Sequence, residues 1–153
     1  LVFKLKPNVF FHDGQALTSS DVVFSLDRIL DPTVGSPRTW VLEKVEGATE
    51  RMRGETDRVA GITAVDDFTV SIKLSAPFAP FLCLLSMPAC YILPSGSASA
   101  ISDRSFFEKP FGTGPFKSPN VFATVISDSR PMPHIMAPEH VWPAWTYASF
   151  PKT

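Results

Sequence analysis

The chain has 153 residues with 14 basic and 15 acidic side chains, and a net charge of -1 supplies no bulk field for gripping nucleic acid or anionic lipid. At 44% hydrophobic and 19% charged residues the composition is that of a globular domain with one core, which excludes disorder throughout. Fifteen prolines against eight glycines predict many short elements, because proline ends helices and is kept out of central strands.

Residues 1–6 alternate, with Phe3 and Leu5 on one face and Lys4 and Lys6 on the other, the period of a half-buried strand. The chain shows no export signal and opens on Leu1 already in this alternation, so it reads as cut from something longer. Pro7-Asn8 breaks the strand, and Asp13-Gly14 marks a tight turn where Gly supplies a positive φ. Thr18 then caps a helix, with Asp21 in the first turn against the positive end of the dipole. Val22, Val23, Leu26, Ile29 and Leu30 form its apolar stripe, and Asp31-Pro32 ends it. A second helix is predicted over residues 40–53, with Val41, Val45, Ala48 and Met52 on one stripe, Gly47 as a weak point and Gly54 as the left-handed cap.

A hairpin follows, in which residues 61–65 lead through an Asp66-Asp67 connector into a strand with Phe68, Val70, Ile72 and Leu74 inward. Thr69 and Ser71 are expected to face water. Pro77 and Pro80 open a short apolar helix through Ser86, and residues 91–93 read as a buried strand between Pro88 and Pro94. Residues 95–102 read as a surface loop and 105–108 as one helical turn. Phe111-Gly112-Thr113-Gly114-Pro115-Phe116-Lys117 is a turn leading into an extended segment. Beyond it six of the 15 prolines but only four charges fall in the last 35 residues, and a poorly ordered tail is expected over 118–153.

No apolar run approaches the ~20 residues of a bilayer span, the best, 78–85, being interrupted by Pro80. Cys83 and Cys90 match neither a zinc nor a redox spacing and read as small core residues, with a bridge between them left open. Gly112-Thr113-Gly114 lacks the third glycine of a dinucleotide loop and the Gly-Lys-Ser/Thr of a P-loop, so it reads as a structural turn. His12 beside Asp13 and the Asp66-Asp67 pair also read as turn residues, since neighbours in extended chain point to opposite faces. His134, Glu139 and His140 have metal-ligand chemistry but no scaffold, so no metal and no cofactor are expected. No serine stands in Gly-x-Ser-x-Gly, and no nucleophile can be named. Aromatics Trp40, Phe78, Phe81, Phe106, Phe107 and Phe111 either line an apolar cleft or fill the core, and periodicity favours the core.

The order of these elements carries more than any one of them. Phe3-Lys4-Leu5-Lys6-Pro7-Asn8-Val9-Phe10-Phe11-His12-Asp13-Gly14 followed by Leu17-Thr18-Ser19-Ser20-Asp21-Val22-Val23-Phe24-Ser25-Leu26 resembles the segment that marks family 5 extracellular solute-binding proteins, the peptide and nickel receptors of ABC importers. Val59-Ala60-Gly61-Ile62, Val65-Asp66-Asp67-Phe68-Thr69-Val70, Leu74-Ser75-Ala76-Pro77-Phe78 and Gly112-Thr113-Gly114-Pro115-Phe116-Lys117 continue the family's pattern in order. The resemblance covers residues 1–117 and stops at Ser118-Pro119-Asn120, where 118–153 is a non-matching tail. It implies an α/β fold, a mixed sheet with packed helices forming part of the first lobe of a type II periplasmic-binding protein. It also implies a non-enzymatic receptor, monomeric, that binds a peptide or similar small solute and delivers it to an ABC permease. The full-length form would be periplasmic or extracellular and membrane-associated. The rival expectation is a structural or interaction module that keeps one lobe's fold without binding.

Cleft-lining positions in such a receptor are expected on loops and element ends that are free of helix or hairpin duty. Residues 36–40 and 87–91 fit that description, and Trp40, Met87 and Tyr91 are the candidate ligand-binding residues. Met87 and Tyr91 offer an apolar body with one polar handle, suited to peptide side chains; the alternative, which weighs more, is that both segments merely pack under the hairpin.

Overall fold

The computed structural model describes residues 1–102, 106 and 110–115. Expectations for residues 105 and 107–108, for Phe116 and Lys117, for the tail 118–153 and for His134, Glu139 and His140 lie outside the described residues.

Helix α1, Ser19–Leu30, is the organising element. It starts where the sequence places it: Thr18 and Asp21 form a capping box, in which the carboxylate accepts the Thr18 N–H at 2.8 Å and its hydroxyl at 2.9 Å. The apolar stripe Val22, Leu26, Ile29 and Leu30 is buried. It lies on a three-stranded antiparallel sheet of β1 (Val2–Lys4), β2 (Ile62–Asp66) and β3 (Thr69–Ile72), in the order β1-β3-β2. Phe3 stands opposite Val70, and Ile72 opposite Ile62, so the inward row of the sheet meets the helix stripe. Burying each such side chain contributes roughly 1.5–3 kcal/mol.

The hairpin turn differs from expectation by one residue. Strand β2 runs through Asp66 with a bulge between Ala64 and Asp66, so the turn falls on Asp67 and Phe68. The extra residue leaves Phe68 43% exposed instead of on the inward row. Val70 and Ile72 keep their inward places, while Thr69 and Ser71 are half-buried because β1 and β2 flank them on both sides.

The helix expected over 40–53 is two pieces. A 3-10 turn, Thr39–Leu42, and helix α2, Ala48–Met52, are separated by Gly47 at φ +79. A Cβ on Gly47 would stand 2.9 Å from the Ala60 backbone nitrogen, so both torsion and space demand glycine there. Val45, between the two pieces, bridges to Leu74 as in a sheet. Val41, Val45 and Ala48 are buried all the same, so the stripe is right and the conformation is not. Gly54, at φ +74, does follow the helix end.

Gly61 sits where three backbone segments meet. Its N–H donates to the Glu46 carbonyl, its carbonyl accepts the Lys73 N–H, and the Glu46 N–H donates to the Lys73 carbonyl. A Cβ there would fall 2.7 Å from both the Glu46 and the Lys73 oxygens.

Arg51, buried on α2, joins that helix to α1. Its guanidinium reaches Asp27 at 3.2 Å and Asp31 at 2.7 Å, and Asp27 also accepts the Val59 N–H at 2.8 Å. Helix α3, Phe81–Leu85, follows Pro80 and buries Phe81. The strand expected over 91–93 is absent: a 3-10 turn, Pro88–Cys90, leads into extended chain whose Tyr91 is 64% exposed. Residues 95–102, expected as a loop, are a 3-10 turn (Ser95–Ser97) and helix α4 (Ala98–Ser102), which buries Ile101. Small side chains there are compatible with a helix, and one apolar anchor suffices to seat it.

Candidate functional site

The irregular stretch after α3 is positioned by the polar face of α1. Ser25 accepts the Leu93 N–H at 2.7 Å and its hydroxyl lies 2.6 Å from the Asp21 carbonyl and 3.1 Å from the Leu93 carbonyl. One turn earlier the second Asp21 carboxylate oxygen accepts the Ser95 N–H at 2.8 Å. A strand would have found these partners in a neighbouring strand; here side chains replace it, which is why 91–93 is extended without pairing. Burial alone would raise the Asp21 carboxyl, but the hydrogen bonds from Ser95 and Thr18 outweigh it and hold the group below its ordinary value. Sequence reasoning assigned Asp21 to the cap alone. Its i, i+4 spacing from Ser25 on a buried face was the available signal for the rest.

Held in this way, residues 85–92 wall an open cavity of about 240 Å³ between α1 and the β1 side of the sheet. Phe3, Leu5, Val22, Leu85, Cys90 and Ile92 line it, an apolar surface without an acid or base. Cys90 is a free, buried thiol whose pKa burial pushes up, and Cys83 is free and exposed, so the two are not bridged.

Of the three candidate ligand-binding residues, Trp40 is 46% exposed on the Thr39–Leu42 turn, which packs against α3. Tyr91 is exposed at the end of the Pro88–Cys90 turn, and Met87 is half-buried against the core. Trp40 and Tyr91 are thus exposed, on or just after short turns, with Met87 against the core. Among the other aromatics, Phe81 and Phe106 are buried and Phe78 and Phe111 half-buried.

The acid–base candidates resolve into turn chemistry. Asp13 accepts the Gln15 N–H at 2.9 Å and Asp66 the Phe68 N–H at 2.8 Å. The Phe68 N–H, with help from Thr69, holds the Asp66 carboxyl below its ordinary value. His12 faces Gly112 and Gly114, away from Asp13. Among the described residues no group of three His, Cys, Asp or Glu side chains could hold a metal ion, and no helix is long and apolar enough to cross a membrane.

Residues 1–121 match the family model described as bacterial extracellular solute-binding proteins, family 5 Middle. Relatives include the glutathione-binding protein GsiB of Pectobacterium atrosepticum, 34% identical over 74% of this chain and 19% of its own length. The periplasmic oligopeptide-binding protein OppA of Escherichia coli is 30% identical over 67% of this chain and 19% of its own. Among solved structures, the substrate-binding domain of an oligopeptide ABC transporter from Bacillus anthracis superposes with a TM-score of 0.70 at 28% identity. It covers 76% of this chain and 23% of that one. OppA of Haemophilus influenzae, in complex with RPPGFSPFR, gives a TM-score of 0.72 at 25% identity, over 78% of this chain and 24% of that one. The chain thus spans about a fifth of the length of these relatives.

Proposed function

The chain belongs to the family 5 bacterial extracellular solute-binding proteins, and on that premise we propose that it is part of a receptor that binds peptides or similar small solutes for an ABC importer. The match over residues 1–121 carries this reading. The relatives' printed names support the solute class, since they specify oligopeptides, dipeptides and glutathione. The receptor would work outside the cytoplasm, as a monomer that delivers solute to a permease, without catalysis of its own. Residues 1–117 would form the receptor unit, with 118–153 not belonging to it.

Within that unit Trp40 and Tyr91 are the proposed solute-facing side chains, with Met87 as the third. The exposure of both rings supports the reading, because large aromatic surface is otherwise costly to leave in water. Replacing the matching segment of the Escherichia coli dipeptide-binding protein with residues 1–117 tests the function. Retained dipeptide uptake by cells carrying the chimera is the expected result. A folded, exported chimera without uptake would overturn it. Trp40→Ala and Tyr91→Ala in that chimera should each weaken peptide affinity about tenfold, the effect of losing ~1.4 kcal/mol of contact, while leaving the melting midpoint in place.

A further inference from the structure

His12 ties together residues 100 positions apart. Its Nε2 lies 2.6 Å from the Gly114 carbonyl oxygen, the Gly112 N–H points at its Nδ1 across 3.4 Å, and its own N–H donates to the Gly112 carbonyl at 3.0 Å. A carbonyl only accepts and an amide N–H only donates, so the tautomer with its hydrogen on Nε2 fits both ring contacts.

The segment so held is set apart from the main core. Thr113, Gly114 and Pro115 are exposed. Among the described residues no atom comes within 4 Å of where a Cβ on Gly112 or Gly114 would stand. Phe111 packs its ring 5.1 Å from that of buried Phe106, and neither Phe106 nor the buried Phe11 and Ile101 belong to the cluster that joins α1 to the sheet. The Asp21 and Ser25 ties to residues 93–95 are part-buried, as is the Gly112–His12 contact, whereas the short His12–Gly114 contact faces solvent.

We infer that residues 112–115 form a strap latched by the His12 imidazole, which opens and recloses while α1 and the sheet stay folded. Segments held by a few hydrogen bonds near the surface, outside the main apolar core, open at far lower free energy than core strands do. The inference concerns this chain's own mechanics, so its failure would leave the solute-binding reading intact.

Amide hydrogen exchange on the full 153-residue chain tests it. The Gly112 and His12 amides should exchange well ahead of the Ile72 amide, which donates to Leu1 at 2.7 Å inside the sheet. His12→Ala should speed the Gly112 amide a further tenfold or so, as loss of about one hydrogen bond predicts, and leave Ile72 unchanged. His12→Gln, which keeps a donor and an acceptor, should recover part of the protection. Equal exchange of Gly112 and Ile72 in the parent chain would overturn the strap, and that comparison needs no variant. So would an alanine variant in which every amide accelerates together, which fails to fold, or in which Gly112 is unaffected.

Discussion

The two sides of helix α1 are fastened by different physics. Toward the sheet, Leu26, Ile29 and Leu30 meet Ile62, Val70 and Ile72, and apolar area removed from water does the holding. Toward residues 93–95, Asp21 and Ser25 hold backbone groups by hydrogen bonds, and the chain they grip is unpaired until it enters the Ser95–Ser97 turn. The first attachment is made of many interchangeable contacts. The second depends on two side chains, each of which would leave a backbone amide without a partner if removed.

The largest expected effect tests the apolar side. Ile72→Asp places an unpaired charge at a site 2% exposed and should cost about 4 kcal/mol in a urea melt. Ser71→Asp, one residue away on the outer face, should cost ~0.5 kcal/mol. Similar losses from the two would mean that the strand's inward face is misassigned.

On the polar side, Asp21→Ala should cost about 2–3 kcal/mol, since the Ser95 and Thr18 N–H groups both lose their acceptor. The folded carboxyl titrates below its ordinary value of 3.8, so its contribution is fully present above that value. It is lost as the pH falls through the folded-state value. The gap in stability between parent and Asp21→Asn should therefore be constant near neutrality and narrow below about pH 4. A gap that widens on acidification would reverse the assignment.

Ser25→Ala should cost about 1.5 kcal/mol and raise hydrogen exchange at Leu93 more than at Ile72. Uniform acceleration would show that the two attachments are one. The smallest contrast concerns the helix start: Thr18→Ala should cost ~1 kcal/mol and exposed Ser20→Ala almost nothing. The reverse ranking would place the cap elsewhere.

The same contrast explains how much of the molecule was legible in its sequence. Helix α1, its Thr18 start and the inward places of Val70 and Ile72 follow from periodicity, because burial on a regular element leaves a repeat in the side chains. The 40–53 stripe was legible as burial but not as conformation, since Gly47 serves a close approach to Ala60 that lies 13 residues further along. The bulge before Asp66 left no mark in the alternation, and it moved Phe68 out to solvent. The 91–93 segment looked like a strand because apolar chain between prolines usually is one. Its actual partner is the Ser25 side chain, 68 residues away, which no local pattern records. At the candidate site, Trp40 was expected to open a helix and Tyr91 a buried strand, whereas the first stands on a 3-10 turn and the second just after another, both exposed, which no local pattern announced. The cavity beside α3 was not legible either, because Phe3, Val22 and Cys90 come together only through the fold.

Gly61 has a bearing on sequence space. Its φ is not in the left-handed region, so nothing in its torsion calls for glycine; the demand comes from two carbonyl oxygens 2.7 Å from any added carbon. Those oxygens belong to backbone, which no rotamer change can move aside, and relief would mean prising apart the Glu46, Gly61 and Lys73 segments together. In a library randomised at every position, residue 61 should therefore return one letter, alanine included among the losers, while exposed Gly114 should accept many. The glycine in the Val59-Ala60-Gly61-Ile62 block is thus a record of where three stretches of main chain cross, written as the only residue thin enough to stand there.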